Sequence, residues 1–349
     1  MDPTLAAEQN LRWLLRDMQP ILDDPRMEDF FINGAGEGMC FVSRGNGIEQ
    51  ITLPYTVSDL DNIAINAAAL TRQDIAEDVP LVSTRFPDGQ RVQIVRPPAV
   101  ADGQFSFSIR KPKQQSPTLK SLKAAGTFAS ATRTRRVQPR QQDLQRLYRL
   151  GEWEDFLALA VQEKLNIVFS GETGAGKTHL LRACIDAIPH TWRLVTIEDM
   201  RELVGLSQPN VVNLLYSKGG QSVSKVSADD LVEAALRMGP DGLLNQELRD
   251  DGAYAWHNTL ESGHWSMTTV HADSAGDARD RIRGLIKKHP AGRHLDDDDL
   301  RASLRRNVNV IVHMVHDKPT GRRYVEQVLY GDDGADRDTN SLPLAIAAE

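Results

Sequence analysis

Eight consecutive residues constrain this 349-residue chain more than any other feature: Gly171-Glu172-Thr173-Gly174-Ala175-Gly176-Lys177-Thr178. They satisfy G-x-x-x-x-G-K-[ST] at every fixed position. The glycines let backbone N–H groups turn inward around an anion with no Cβ in the way. An apolar, β-rich run at 165–169 precedes them, and a helical pattern follows to about 187, just before Pro189. Strand, loop and helix in that order are the context the motif requires. A helix starting near Lys177 brings its positive dipole end to the same place. The Lys177 ammonium can reach the β- and γ-phosphates of a nucleotide, and the Thr178 hydroxyl can ligate Mg²⁺. The loop therefore predicts an α/β phosphate-binding domain, without saying what hydrolysis drives.

The rest of the chain is long enough for a second domain, at roughly 100–200 residues each. Leu11, Leu14, Leu15, Met18, Ile21 and Leu22 form one helical stripe. Short β-like runs follow at 28–33, 38–43 and 48–53, then a helix over 59–75 with Ser58 as its cap. A hairpin at 81–95 turns on Pro87-Asp88-Gly89, and 105–110 is one more strand. Residues 1–112 thus predict a small α+β domain with an antiparallel sheet. From 143 onward the pattern alternates: helix 143–163, strand 193–197, helix 228–238, strand 242–244, helix 252–260, strand 266–270, helix 274–288, then strands 307–314 and 322–330. Alternation of this kind predicts a parallel sheet with helices on both faces across 143–349.

Charge separates the two parts. The net charge is −7, which argues against a protein that coats nucleic acid over its whole surface. Yet residues 103–142 hold nine Lys and Arg, Arg110 and Arg133 among them, and no Asp or Glu. With Pro112, Pro117 and Pro139 they predict a basic linker over 113–142, with one short helix. Such a linker is either a solvated tether or a contact for phosphates, nucleic acid or an anionic membrane face. Two cysteines, Cys40 and Cys184, exclude a disulfide framework and a four-thiolate zinc site. The composition points to a reducing cytosol, with any membrane association peripheral.

Two carboxylates end apolar runs downstream of the loop. Glu198, in Thr196-Ile197-Glu198-Asp199, could polarise water or hold a metal-bound water. Asp199 and Glu202 could instead cap a following helix. Glu247, in Leu243-Leu244-Asn245-Gln246-Glu247-Leu248-Arg249, resembles a Walker B element and could orient the attacking water. His264 and His271 flank the run 266–270; either could be a structural residue or a sensor of the γ-phosphate.

Taken in order, these stretches resemble the secretion (traffic) ATPases of the type IV secretion and conjugation branch. That branch is related to the motors of type II secretion and type IV pili. The resemblance spans roughly residues 10–330 and includes 209–220 and Pro87-Asp88-Gly89-Gln90-Arg91. It implies a RecA-like ATPase domain, a smaller PAS-like N-terminal domain and a homo-hexameric ring. The implied motor powers substrate transfer or pilus assembly at the cytoplasmic face of the inner membrane. Its implied partners are secretion-channel components and coupling ATPases, with no requirement for direct nucleic-acid binding. By position, Glu198 matches the acidic-box glutamate, Glu247 the Walker B glutamate and His271 the histidine-box residue. Arg110 resembles an N-domain arginine that reaches the phosphates. Arg133 is the nearest match to a second, with Arg91 as the alternative.

Three departures stand out. Gln246 replaces the small residue that normally precedes the Walker B glutamate. Gly239 and Gly242 replace basic positions. The two histidines are seven positions apart, one fewer than the type IV secretion branch carries. A nucleotide-gated scaffold with little turnover and a monomeric phosphate-loop kinase are the rival expectations.

Overall fold

The computed structural model describes residues 3–45, 47–112, 118–129, 131, 139–217, 223–249 and 252–331. Arg133 lies outside them. Within the described residues the elements run α1 (Pro3–Leu14), α2 (Gln19–Asp23), β1 (Met27–Ile32), β2 (Cys40–Arg44), β3 (Gly47–Ile51), α3 (Val57–Leu70), β4 (Leu81–Arg85), β5 (Arg91–Val95), β6 (Ser106–Arg110), α4 (Leu119–Ala124), α5 (Pro139–Leu150) and α6 (Trp153–Gln162). They continue as β7 (Ile167–Gly171), α7 (Lys177–Asp186), β8 (Leu194–Glu198), β9 (Val211–Leu215), α8 (Ala228–Leu236), β10 (Gly242–Asn245), α9 (Gly252–Glu261), β11 (Met267–Val270), α10 (Ala275–Ile286), α11 (Asp297–Asn307), β12 (Val310–Asp317) and β13 (Arg322–Tyr330). This is the α/β class expected from the sequence. The chain forms two compact units: Met1–Lys164 with Cys184–Gln246, and Leu165–Ala183 with Glu247–Glu349.

In the first unit, an antiparallel sheet of order β3-β2-β1-β6-β5-β4 carries the N-terminal core. Leu11, Leu15, Met18, Leu60, Ile63 and Ala67 pack from the helices onto Phe30, Ile32, Ile94 and Phe107. The apolar stripe of the first helix is real, but its continuous helix is not. A 3₁₀ turn at Leu15–Asp17 separates α1 from α2, and Pro20 opens α2, where its missing N–H costs nothing. Helix α3 starts one residue before the expected cap. Thr56 accepts from the Asp59 N–H while the Asp59 carboxylate accepts from the Thr56 N–H, a reciprocal box that makes Thr56 the cap. The expected helix 143–163 is two helices, because Gly151 at φ +72° reverses the chain between α5 and α6. The basic segment does contain one short helix, α4, none of whose residues is buried.

The same unit holds a parallel sheet of order β10-β8-β9. Strand β9 is absent from the sequence expectations, although its residues carry part of the resemblance. One arginine ties this sheet to the antiparallel one. Arg193, with no solvent exposure, donates to Asn33 Oδ1 (2.9 Å), Asn210 Oδ1 (2.5 Å), Ser108 Oγ (3.1 Å) and Met238 O (3.0 Å). Its guanidinium also lies 4.0 Å over the Phe31 ring. Burial pushes it down to about 9, with Asp29 and Asp241 pulling the other way.

In the second unit, β11-β7-β12-β13 form one sheet, parallel except for the β12–β13 hairpin. Helices α9, α10 and α11 cover it through Trp256, Leu260, Ala278, Ile282, Leu285 and Leu304. Asn166 aligns the strand starts: its N–H donates to Asn309 Oδ1 (2.8 Å), its Nδ2 to Asn307 O (2.7 Å), and its Oδ1 accepts from the Ser266 N–H (2.9 Å). Both cysteines are buried and unpaired with each other; burial pushes Cys40 up to about 11 and Cys184 to about 12.

Candidate functional site

Strand β7 delivers the phosphate loop, and α7 begins at Lys177 as its continuation. Gly171, Gly174 and Gly176 have φ of +145°, +78° and +96°, conformations that side chains rarely adopt. A Cβ on Gly171 would lie 2.2 Å from Met314 O of β12, so this position is closed by the neighbouring strand as well as by its own backbone. Lys177 is buried, and its Nζ donates to Gly171 O (2.9 Å) and Glu172 O (2.8 Å). Burial lowers its pKa, opposed by Glu247 and reinforced by Arg249. Thr178 follows in the first turn of α7, half-buried. Helix start, ammonium and hydroxyl form a donor set that fits a polyphosphate with a hard cation.

Glu247 and His271 join Lys177 in the same unit. Glu247 bridges to Thr269 of β11, and the Leu248 N–H donates to Thr269 O at 2.8 Å. This fixes Glu247 beside the strand that leads to His271. Its Oε2 accepts from Arg249 Nη2 at 2.6 Å. Its Oε1 lies 3.1 Å from His271 Nε2, within ion-pair range though not in hydrogen-bond alignment. The other ring nitrogen, His271 Nδ1, is 3.4 Å from Lys177 Nζ. Burial first, then Lys177, lowers the His271 pKa, while Glu247 raises it. A neutral ring can accept at Nδ1 from the ammonium and carry its hydrogen on Nε2, the nitrogen nearer the carboxylate. The loop and this histidine open onto a cavity of about 640 Å³ whose other walls include Asp273, Asp277 and Lys318.

Glu198 belongs to the other compact unit. It is buried, and its carboxylate accepts from Thr196 Oγ1 (2.7 Å), Glu202 N (2.7 Å), Leu203 N (2.8 Å) and Asn213 Nδ2 (3.3 Å). No helix follows it, so Asp199 and Glu202 cap nothing. The chain from 199 to 210 loops to β9, and the Glu198 carboxylate organises that loop. Arg110 ends β6, exposed, 3.5 Å from Asp29 Oδ1. His264 Nδ1 lies 2.9 Å from Ser262 Oγ in the turn before β11, with no tie to the loop. Gln246, next to Glu247, is buried.

The sequence suggests a structural pair for Arg249, and its partner is Glu247; sequence reasoning missed Lys318 as a neighbour of Glu172 (3.6 Å) and Arg323, whose Nε donates to Gly174 O at 2.7 Å. Only Arg249 lies close to a motif in the chain.

The type II/IV secretion system protein family matches residues 59–320. Protein VirB11 of Rhizobium radiobacter is 38% identical over 316 residues, covering 88% of this chain and 90% of that protein. The type IV secretion system protein VirB11 of Brucella suis is 36% identical over 333 residues, covering 93% and 91%. The crystal structure of the VirB11 ATPase from the Brucella suis type IV secretion system, in complex with sulphate, matches with a TM-score of 0.88 at 33% identity. That match covers 96% of this chain and 98% of the other.

Proposed function

The chain belongs to the type II/IV secretion system protein family, and on that premise we propose that it is an ATP-hydrolysing motor of a type IV secretion system. The observation that carries this reading is the sequence of contacts from Lys177 through His271 to Glu247 beside the phosphate loop. Lys177 neutralises charge on the β- and γ-phosphates. Thr178 would hold Mg²⁺, which would supply positive charge to stabilise the phosphates as charge develops. Glu247 orients the attacking water, and neutral His271, between Lys177 and Glu247, senses the γ-phosphate by hydrogen bonding. Glu198, held by neutral donors, shapes the loop 199–210 and assists from there. Arg110 and Arg133 are the proposed phosphate-contacting arginines, and 1–112, 113–142 and 143–349 the proposed N-terminal domain, basic linker and ATPase domain.

The active species is a homo-hexamer that works with channel components and coupling ATPases at the cytoplasmic face of the inner membrane. Among the described residues no helix is long and apolar enough to cross a bilayer, which is compatible with peripheral attachment. A scaffold with little turnover is the second reading. Its support is that both Glu247 oxygens already face a nitrogen, Arg249 on one side and His271 on the other.

Light scattering with and without ATP·Mg²⁺, combined with phosphate release on the same sample, tests the set. The motor forms a ring and turns over, and Lys177→Ala abolishes turnover. A ring without turnover favours the scaffold. Turnover in a monomer sinks the motor and favours a small-molecule enzyme.

A further inference from the structure

The carbonyls of a phosphate loop are as constrained as its amides. Turning N–H groups inward turns C=O groups outward, where a donor from the protein can hold them in place. Lys177 serves Gly171 O and Glu172 O. Gly174 O is served from β13, where Arg323 Nε donates at 2.7 Å across 149 positions of chain. Arg323 also packs closely on the loop: its Cδ would lie 3.4 Å from a Cβ at Gly176. The geometry is supported from below, because β12 pairs with β7 in a register that sets Met314 beside Gly171, and Arg323 pairs with His316 of β12. The peptide plane links Gly174 O to the Ala175 N–H, which closes on Glu172 O at 3.2 Å. Fixing that one carbonyl therefore fixes the turn at the loop's tip. A charged donor makes the stronger hydrogen bond.

We propose that Arg323 is a positioning residue that holds the phosphate loop in its binding conformation and so sets nucleotide affinity. The proposal rests on the reading of the loop as an ATP site. Arg323 acts through Gly174 rather than on the reacting atoms. Its removal therefore weakens ATP and ADP alike and leaves the chemical step nearly intact.

The test uses the full chain and a fluorescent ATP analogue, with steady-state kinetics and amide exchange. Arg323→Ala is expected to raise Kd and KM about tenfold with kcat within about twofold. Amide exchange at 171–176 should quicken while the rest of the sheet is unchanged. Arg323→Lys, which keeps the charge but not the planar N–H, should fall between. Arg322→Ala, on the same strand beside Tyr324, should match the unsubstituted chain. Unchanged Kd, KM and exchange in Arg323→Ala overturn the proposal, as does a kcat that falls as far as KM rises. If Arg323→Ala melts early, Arg323→Lys decides by the same criteria. Failure of the unsubstituted chain to bind the analogue removes the ATP reading and the proposal together; failure in Arg323→Ala alone leaves the ATP reading standing.

Discussion

Glu198 and Glu247 end two apolar runs of similar sequence, and the structure treats them in opposite ways. Glu198 is surrounded by neutral donors, two of them backbone amides that cannot leave without unfolding the loop they belong to. Glu247 faces a guanidinium and an imidazole, each on a rotatable side chain. A carboxylate held by backbone organises the chain around it. A carboxylate held by side-chain nitrogens can exchange them for water or for a phosphate-linked partner. The contrast lies in the donors, not in the acid.

The largest effect separates the two directly. Glu247→Gln should cut phosphate release roughly 100- to 1,000-fold with the melting temperature unchanged. Glu198→Gln should keep turnover within about tenfold but cost about 1–2 kcal/mol in urea unfolding. Equal losses of turnover with both folds intact would break the contrast.

A second substitution sharpens the idea of a fixed polar scaffold in the first unit. Arg193→Met strips donors from Asn33, Asn210 and Ser108, and should cost about 3 kcal/mol in chemical unfolding. A loss below about 1 kcal/mol would mean that the network contributes little.

The smallest effect is a titration. The His271 pKa lies below 6.5 in the folded chain, by burial and by Lys177. Just below pH 6.5 the unfolded chain therefore binds more protons at this ring. Its share of stability is whole above 6.5 and declines as pH falls toward the folded value. In Lys177→Ala the value should rise, read by NMR of the ring protons. A value unmoved by that substitution would remove the coupling between ammonium and imidazole.

What the sequence made legible follows from how far each signal reaches. The phosphate loop is local: its glycines, its strand and its helix lie within about two dozen residues, and all three fold as expected. Glu247 and His271 were placed by position in ordered motifs, and they meet Lys177. Boundaries were harder. Gly151 breaks a helix that periodicity alone continues, and Thr56 wins a cap through a partner three residues on. Arg193 and Arg323 were illegible, because their partners lie up to 160 residues away and no local pattern announces them. Strand β9 was passed over for a related reason: Val211–Leu215 is short, and its meaning comes from pairing with β8.

The first glycine of the loop carries a lesson for anyone who would transplant it. Gly171 is hemmed in by the Met314 carbonyl of β12, in strands drawn together from opposite ends of the unit. Its place is reserved by the architecture before any ligand arrives. A graft of the eight residues onto a foreign strand would bring the letters of the motif without the wall that shapes it, and would need β12 to come along.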